Sequence, residues 1–535
     1  MRIFRFLFLF TIITALAGCG GGGGQWGAEY TNTPTTTPAQ MQYGAYSTYG
    51  TQYGTETGAH AMAVLLPTSG MAGDIGQQIK AGVEMAVLRN APGNLTVSFY
   101  DTTPGVSSAF SSAMSNNPEI IIGPLFASDA RTLREIKPTN MPILSFTSDA
   151  SAVGDGVMTM ALMPTNSVEE IVREISRDGA RRIIMIAPST NSGRTMAAVA
   201  YSAANMYDVS TVGLLYYTEK DSESIKSIAV DASMNAARVS ANKRAREILS
   251  DILTTENLTA IERSDINRQL STISRGDTLG DVPYDAVLFL GNGDDSQTIA
   301  SFLRYYGVDA RRVRFYGTAL WDGAALVRDV TMYGAKYPAL PEPDANFTAL
   351  YSDATGVTPS RMATFGYDAT NLAIGMLYSG RVAASYLMDP SGYVGIDGLV
   401  RLTPDGVNER GLRIMELNGT DTPRIIRPAP TNFITPIYNV KQRYASPVSA
   451  RGIESGGINP MNYIRIPERM RSKYKAKTYG ARGNTSVSTN VPAVSQNIIT
   501  VASAGDDTAI ISSDFQPVKI ESVNRTYIDA VEISE

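Results

Sequence analysis

The sequence predicts an α/β fold built as two lobes, each on a mainly parallel sheet. Three observations predict it. Short apolar runs alternate with segments whose apolar residues recur at helical spacing, and the connections between them are short. The apolar runs are continuous, as expected for strands that are covered on both faces. The alternation pauses in a long helical stretch at 220–276 and then resumes.

The first run of elements begins at Ala61. The residues Ala61–Leu66 are all apolar and predict a buried strand, and Ile75, Ile79, Val83 and Val87 give the following segment one apolar face. The same reasoning predicts strands at 95–100, 119–122 and 142–146 and helices at 107–114 and 131–136.

The second run begins after Pro164. It predicts helices at 168–176 and 194–206 and strands at 182–187 and 212–217. Residues 220–276 predict helices only, with Arg and Lys on a solvated face. Later strands are predicted at 284–290, 313–317 and 412–417, and later helices at 296–305 and 361–378.

The N-terminus has the layout of a bacterial lipoprotein signal. Arg2 and Arg5 precede the apolar run Phe6–Leu16, which is too short to span a membrane. Residues Leu16–Cys19 form a lipobox, so residues 1–18 are predicted as a signal peptide and Cys19 as the lipidation site. The alternative is an ordinary cleaved signal with a chance cysteine. Cys19 is the only cysteine, which leaves no disulfide.

Two segments of low complexity are predicted to flank the folded part. Residues 19–59, rich in Gly, Thr, Tyr and Gln, are interpreted as a flexible tether, with glycan binding by tyrosines as the alternative. Residues 428–535 are predicted to be a mostly disordered tail with a basic patch at 465–482. That patch could instead contact anionic lipid or glycan.

Composition excludes several classes of function. The net charge of -5 gives no global basic surface for nucleic acid. His60 is the only histidine and follows the tether, so the chain lacks the His that serine or cysteine nucleophiles and His-rich zinc sites use. Gly291–Asp294 lacks the full dinucleotide-binding pattern. Carboxylate-only or lysine-based chemistry stays open as the alternative, but we expect no enzyme activity, catalytic residue, metal or cofactor.

Specific segments resemble type I periplasmic binding proteins of the leucine/isoleucine/valine class. They are Val64–Gly70 with Ile75–Gly82. Others are similar to one branch of that superfamily, the penicillin-binding protein activator lipoproteins: Tyr100–Thr102, Ile121–Leu125, Pro142–Phe146, Leu303–Gly307, Gly317–Asp322, Asp397–Leu399 and Pro404–Gly406. The resemblance covers roughly residues 61–418.

The resemblance implies a domain layout. It implies a binding-protein-like domain at 61–427 whose two Rossmann-like lobes are joined by a hinge. Lobe 1 is expected to comprise 61–163 and 340–390, and lobe 2 to comprise 164–339 and 391–420, with 220–276 as a helical insertion.

Ligands of open parallel sheets bind beyond the carboxyl ends of the strands. Together with the resemblance, this rule places the candidate ligand residues in a cleft: Ser69, Ser128, Thr147, Ser148, Asn191, Asn292, Trp321 and Asp322. For each, the alternative is ordinary loop or helix capping. Asn191, Ser192 and Arg194 do not supply the aromatic side chain that amino-acid-binding relatives place there, and the shortened segment Ala91–Asn94 suits the activator branch.

Two functions follow as hypotheses. In the first, a lipid-anchored protein activates a penicillin-binding protein, a peptidoglycan synthase, by contact in the periplasm. In the second, a solute-binding lipoprotein delivers an amino acid or a similar small polar ligand to an ABC permease. Gly20 after the cysteine favours the outer membrane as the site of anchoring.

Overall fold

A computed structural model describes residues 58–479, except 325, 327–328, 380–385, 421, 434–447 and 454–456. The signal peptide, Cys19, most of the tether and the end of the tail lie outside the described residues. Within the described part, no helix is both long and apolar enough to cross a membrane.

The described residues form fifteen strands. They are β1 (His60–Leu66), β2 (Leu95–Asp101), β3 (Ile120–Ile122), β4 (Ile143–Ser145), β5 (Val157–Thr159), β6 (Arg182–Pro188), β7 (Ser210–Tyr217), β8 (Ala286–Phe289), β9 (Arg314–Tyr316), β10 (Lys336–Ala339), β11 (Tyr393–Gly395), β12 (Gly398–Leu402), β13 (Asn408–Arg410), β14 (Arg413–Glu416) and β15 (Arg424–Arg427).

Twelve α-helices accompany them in the described part. They are α1 (Gly73–Asn90), α2 (Val106–Met114), α3 (Ala127–Ile136), α4 (Pro164–Arg177), α5 (Asn191–Met206), α6 (Ser222–Ala232), α7 (Asn235–Thr255), α8 (Ala260–Ile273), α9 (Gly293–Tyr305), α10 (Ala345–Thr355), α11 (Arg361–Leu377) and α12 (Glu468–Tyr479).

The first lobe is built on a parallel sheet of order β2-β1-β3-β4-β5. Its strands are apolar on both faces, and two clusters of buried side chains cover them. Helices α1 and α11 pack closely on one face because glycines let their backbones approach. A Cβ atom at Gly82 would lie 1.9 Å from the carbonyl oxygen of Ala363, so a side chain there would force the helices apart.

The second lobe is built on a seven-stranded sheet of order β15-β14-β10-β9-β8-β6-β7. Strands β6 to β10 are parallel, whereas β14 and β15 join antiparallel at one edge. The α/β class with two mainly parallel sheets is therefore confirmed. Helices α6, α7 and α8 occupy the stretch predicted to contain helices only.

Residues 391–410, expected in lobe 2, lie instead against lobe 1. Strands β11, β12 and β13 form a small antiparallel sheet, and Val400 and Leu402 belong to the same apolar cluster as β1 and α11. Strands β14 and β15 belong to the second sheet. The short strands lie against lobe 1 because their apolar side chains are buried there with those of α11.

The stretch 457–475 was predicted to fall in a mostly disordered tail, but it is folded. Ile464, Ile466, Met470 and Tyr474 are buried against α7 and α8. Upstream, Arg451 exchanges two 2.9 Å backbone hydrogen bonds with Leu214 and so covers the exposed edge of β7. We call α7, α8 and residues 457–475 the outer helical unit.

Candidate functional site

The first loop of the predicted cleft is held by a carboxylate. β1 and β2 end side by side, which brings Ser69 to Asp101. Asp101 accepts hydrogen bonds from the Ser69 hydroxyl at 2.6 Å and from the backbone N–H groups of Thr68 and Thr103 at 3.0 Å each. Burial raises the pKa of Asp101, but these donors outweigh it and hold the pKa at about 2. The Ser69 hydroxyl is therefore hydrogen-bonded within the protein and stabilises its own loop.

The loop after β4 is also satisfied internally. Thr147 is buried, and its hydroxyl accepts a hydrogen bond from the backbone N–H of Asp149 at 3.1 Å. Its carbonyl accepts the Thr159 hydroxyl at 2.6 Å. Ser148 is half-buried beside it, and Ser128 is exposed in the first turn of α3. The Thr147 hydroxyl is thus bonded within its own loop, which was the alternative to ligand binding.

In the second lobe, helix starts at the carboxyl ends of strands are capped by the chain itself. The side chain of Asn292 accepts a hydrogen bond from Asp295 N–H at 2.9 Å and so caps α9. Thr190 caps α5 in the same way, and Asn191 is exposed as the first residue of that helix. The amide groups at these helix starts are therefore partly used within the protein.

Trp321 belongs to the core of the second lobe. Its indole is 1% exposed, donates to the Ser296 hydroxyl at 3.3 Å and packs near Phe289 and Tyr337. It was predicted to line the cleft, and the structure places it behind the cleft wall. A Cβ atom at position 317 would lie 2.2 Å from the indole, so Gly317 leaves the space in which the ring packs.

Asp322 is the predicted residue best placed for a ligand. Its side chain is exposed but lies among protein atoms, and this desolvation raises the pKa of its carboxyl. The positive charges of Arg361 and Arg413 lower the pKa of this carboxyl. Because Arg361 begins α11 in the first lobe, Asp322 lies where the two lobes face each other. The charges of Arg361 and Arg413 already act on this carboxylate, so an ammonium ligand would compete with them.

The residues that hold the connections between the lobes were not among the predicted site residues. The chain passes between lobes three times, at 160–163, 340–344 and 411–412. The Asn408 amide donates to the carbonyls of Thr159 and Ala161 at 2.8 and 2.7 Å, and Arg410 donates to Met160. Arg361 donates to Pro341 at 2.8 Å. These buried donors hold two crossovers directly.

Two aspartates complete this network. Arg361 donates to Asp397 at 2.6 Å, and Asp368 accepts the backbone N–H groups of Ile396 and Asp397 at 2.8 and 3.3 Å. Both carboxylates are buried. Burial and then the charge of Asp397 raise the pKa of Asp368 to about 7. We call Arg361, Asp368, Asp397, Asn408 and Arg410 the crossover cluster.

Part of the signal for this cluster is present in the sequence. Asn408 and Arg410 are two residues apart, a spacing that places their side chains on one face of a strand. That pattern normally indicates solvent on the polar side. Here the polar side faces the crossovers, and only the tertiary structure shows this.

Two cavities in the described part lie away from the cleft. One, of about 40 Å³, is at the amino ends of β6, β8 and β9 and is lined in part by Arg182, Asp285 and Arg312. The other is an open groove of about 400 Å³ on the outer face of α9.

Part of the chain is similar in sequence to known proteins. Residues 54–269 match the family described as "LppC putative lipoprotein", a range that runs from the tether into α8. Over 188 residues the chain is 26% identical to the penicillin-binding protein activator LpoA of Mannheimia succiniciproducens. The match covers 34% of this chain and 32% of LpoA, about a third of that relative's length.

Solved structures confirm the type I periplasmic binding fold. A Rhodospirillum rubrum protein described as a "putative branched-chain amino acid ABC transporter" aligns over 69% of this chain and all of its own length, with a TM-score of 0.53 and 14% identity. The C-domain of Haemophilus influenzae LpoA, described as a regulator of PBP1A, aligns over 68% of this chain with a TM-score of 0.46 and 13% identity. The fold assignment rests on the first of these.

Proposed function

We propose that this protein is a lipid-anchored, non-catalytic regulator that activates a penicillin-binding protein by direct contact. The observation that carries the proposal is the match to an activator of penicillin-binding proteins over 188 residues. Cys19 would hold the protein in the outer membrane, facing the periplasm. A tether of about 40 residues could reach up to about 140 Å if fully extended, enough to extend well away from the membrane.

The geometry of the crossovers supports a scaffold more than a ligand trap. Solute-binding proteins close two lobes around a ligand by changing backbone angles in the crossovers. Here buried guanidinium and amide groups bond the crossover carbonyls. Bending would leave those groups unsatisfied, at about 1–3 kcal/mol each. A partner protein could use such a two-lobed body as a fixed surface.

The predicted cleft residues support the same proposal. The side chains of Ser69, Thr147, Asn292 and Trp321 are hydrogen-bonded within the protein. A ligand would have to replace those bonds, which lowers the net gain on binding.

Reconstitution tests the proposal. The full-length lipoprotein in detergent is added to each purified penicillin-binding protein of its host, and the rate of glycan polymerisation is measured. We expect direct binding and a severalfold higher rate with one of them. Cys19→Ala is the matched control, since it should lose membrane association and acyl labelling but still stimulate in solution. Absence of binding and of stimulation with every synthase would refute the proposal.

A thermal-shift screen of amino acids separates this function from solute import. A ligand that binds only the folded state raises the unfolding temperature by mass action. We expect no stabilisation. An amino acid that stabilises the wild type by several degrees but not Asp322→Ala would instead support delivery to a permease.

A further inference from the structure

The outer face of α9 carries an open groove that the protein itself leaves uncovered. The groove measures about 400 Å³ and is lined by Gln297, Thr298, Ser301, Phe302 and Tyr305. These residues recur at three- and four-residue spacing, so they form one stripe along the helix. The opposite face of α9, with Ile299, Ala300 and Leu303, is buried in the core of the second lobe.

Residues 329–333 contact α9 beside this stripe. Asp329 accepts a hydrogen bond from Gln297, and the hydroxyls of Thr331 and Ser301 lie 3.5 Å apart. Between these contacts, Val330 is 71% exposed, and Tyr333 at the end of the segment is 49% exposed. We call the stripe and this segment together the α9 groove.

The aromatic end of the groove is both exposed and held in place. Tyr305 is 80% exposed, and its ring lies edge-on against Tyr306 with centroids 5.1 Å apart. Tyr306 in turn stacks on Phe302 at 6.5 Å. A tyrosine that is already positioned loses little conformational freedom on binding, and tyrosines are enriched among residues that dominate interface energies.

The other end of the groove is acidic. Asp294 is exposed in the first turn of α9, eleven residues and about 16 Å from Tyr305 along the helix. Burial raises the pKa of Asp329, but hydrogen bonds from Thr331 and Gln297 outweigh it and lower the pKa, so this carboxylate is ionised at neutral pH. Within the described chain, neither aspartate forms an ion pair.

The cation nearest in sequence to the stripe does not neutralise it. Arg304 turns inward, where its guanidinium lies 4.0 Å from the centre of the Phe315 ring and donates to the carbonyl of Val308 at 3.2 Å. The groove therefore presents an apolar aromatic end and a negative end. Its electrostatic complement is a segment with an apolar anchor and a cation.

We propose that the α9 groove is the surface that binds the penicillin-binding protein. The partner would offer a segment carrying a large apolar side chain and, about 16 Å away, a Lys or Arg. The apolar anchor would pack between Tyr305 and Val330, and the cation would face Asp294. The inference rests on the proposed function, and it adds which surface and which chemistry make the contact.

The test measures the affinity of the full-length lipoprotein for the synthase that it stimulates. Tyr305→Ala combined with Val330→Ala is expected to weaken binding by about tenfold or more, mainly through faster dissociation. Asp294→Asn is expected to weaken binding by about threefold and to reduce its dependence on salt, since a rim charge acts mostly on association. Both changes are at exposed positions, so the fold is retained, as circular dichroism would check.

Two variants serve as matched controls. Leu88→Ala and Ile261→Ala remove side chains that are 69% and 83% exposed on other faces, and they should bind as the wild type does. If the wild type binds the synthase and the groove variants bind equally well, this inference is wrong while the proposed function stands. If the wild type binds no synthase, both are wrong.

Two further measurements identify a different occupant. Competition by soluble peptidoglycan fragments that is lost in the Tyr305 variant would assign the groove to glycan. A concentration-dependent dimer that the same variant abolishes in sedimentation would assign it to a second copy of this chain. Either result would overturn the inference.

Discussion

The crossover cluster and the outer helical unit use charge in opposite ways. In the cluster, two arginines bond the backbone of the crossovers, and two buried aspartates lie beside them. In the outer unit, the ion pairs Arg469–Glu262 and Lys473–Glu256 lie at the surface, and the apolar side chains beneath them are buried. Removing one partner of a buried pair is costly, whereas exposed pairs contribute little. Stability should therefore depend on charge in one region and on packing in the other.

The largest expected effect is that of Arg410→Met. It removes the guanidinium near Asp368 and Asp397 and its bond to Met160, so that Arg361 alone faces the two buried carboxylates. We expect the free energy of unfolding to fall by about 3–5 kcal/mol, measured by urea denaturation. Arg311→Met, at a guanidinium that is 90% exposed, is the control and should be near neutral. Adding Asp368→Asn should restore part of the loss, and a strictly additive double variant would contradict coupling within the cluster.

The next largest effect is expected from Tyr474→Ala. The side chain is fully buried between α7 and α8, and its hydroxyl lies 3.4 Å from Glu256 Oε1. Loss of the ring should cost about 3 kcal/mol. We expect faster hydrogen exchange in α7 and α8 but not in β1 or β3. Arg469→Ala removes only a surface ion pair and should leave that exchange unchanged. Equal effects of the two variants would contradict packing as the source of stability.

The smallest effect concerns pH. Burial and the charge of Asp397 raise the pKa of Asp368 from 3.8 to about 7. Between those values the folded state holds a proton that the unfolded state has released, so its stability falls as pH rises and levels off above about 7. We expect the unfolding temperature to decline between pH 5 and 8, and less steeply in Asp368→Asn. Asp353→Asn, an exposed change on α10, should keep the wild-type slope. An unchanged slope in Asp368→Asn would show that another group causes the decline.

Local patterns predicted much of the first lobe. The run Ala61–Leu66 and the apolar face of Ile75, Ile79 and Val83 are a strand and a helix, because each pattern repeats at the period of its element. The tail illustrates the opposite case. Met470 and Tyr474, four residues apart, carry a helical signal inside a basic polar stretch. A short helix of this kind forms when α7 and α8 bury its apolar face, and no local pattern reports that partner.

For the candidate site, too, the sequence predicted the positions of the residues but not their contacts. The rule that ligands bind beyond strand ends pointed to Ser69, Thr147 and Asn292, and these residues do follow strands or start helices. Their hydroxyl and amide groups, however, bond within their own loops or helices. A short polar side chain near a strand end suits a cap as well as it suits a ligand. The choice depends on which backbone group lies within 3 Å, which is a matter of loop geometry.

The amino-acid sequence was sufficient for the α/β class, the two parallel sheets and the resemblance to the activator branch, because periodicity and short motifs are local properties. The folding of the tail onto the outer helical unit, the packing of β11–β13 on the first lobe and the burial of Trp321 depended on tertiary structure. So did the crossover cluster, which joins residues more than two hundred positions apart. Each of these features results from contacts between distant segments, and their gain in buried area and satisfied hydrogen bonds exists only once the lobes have formed.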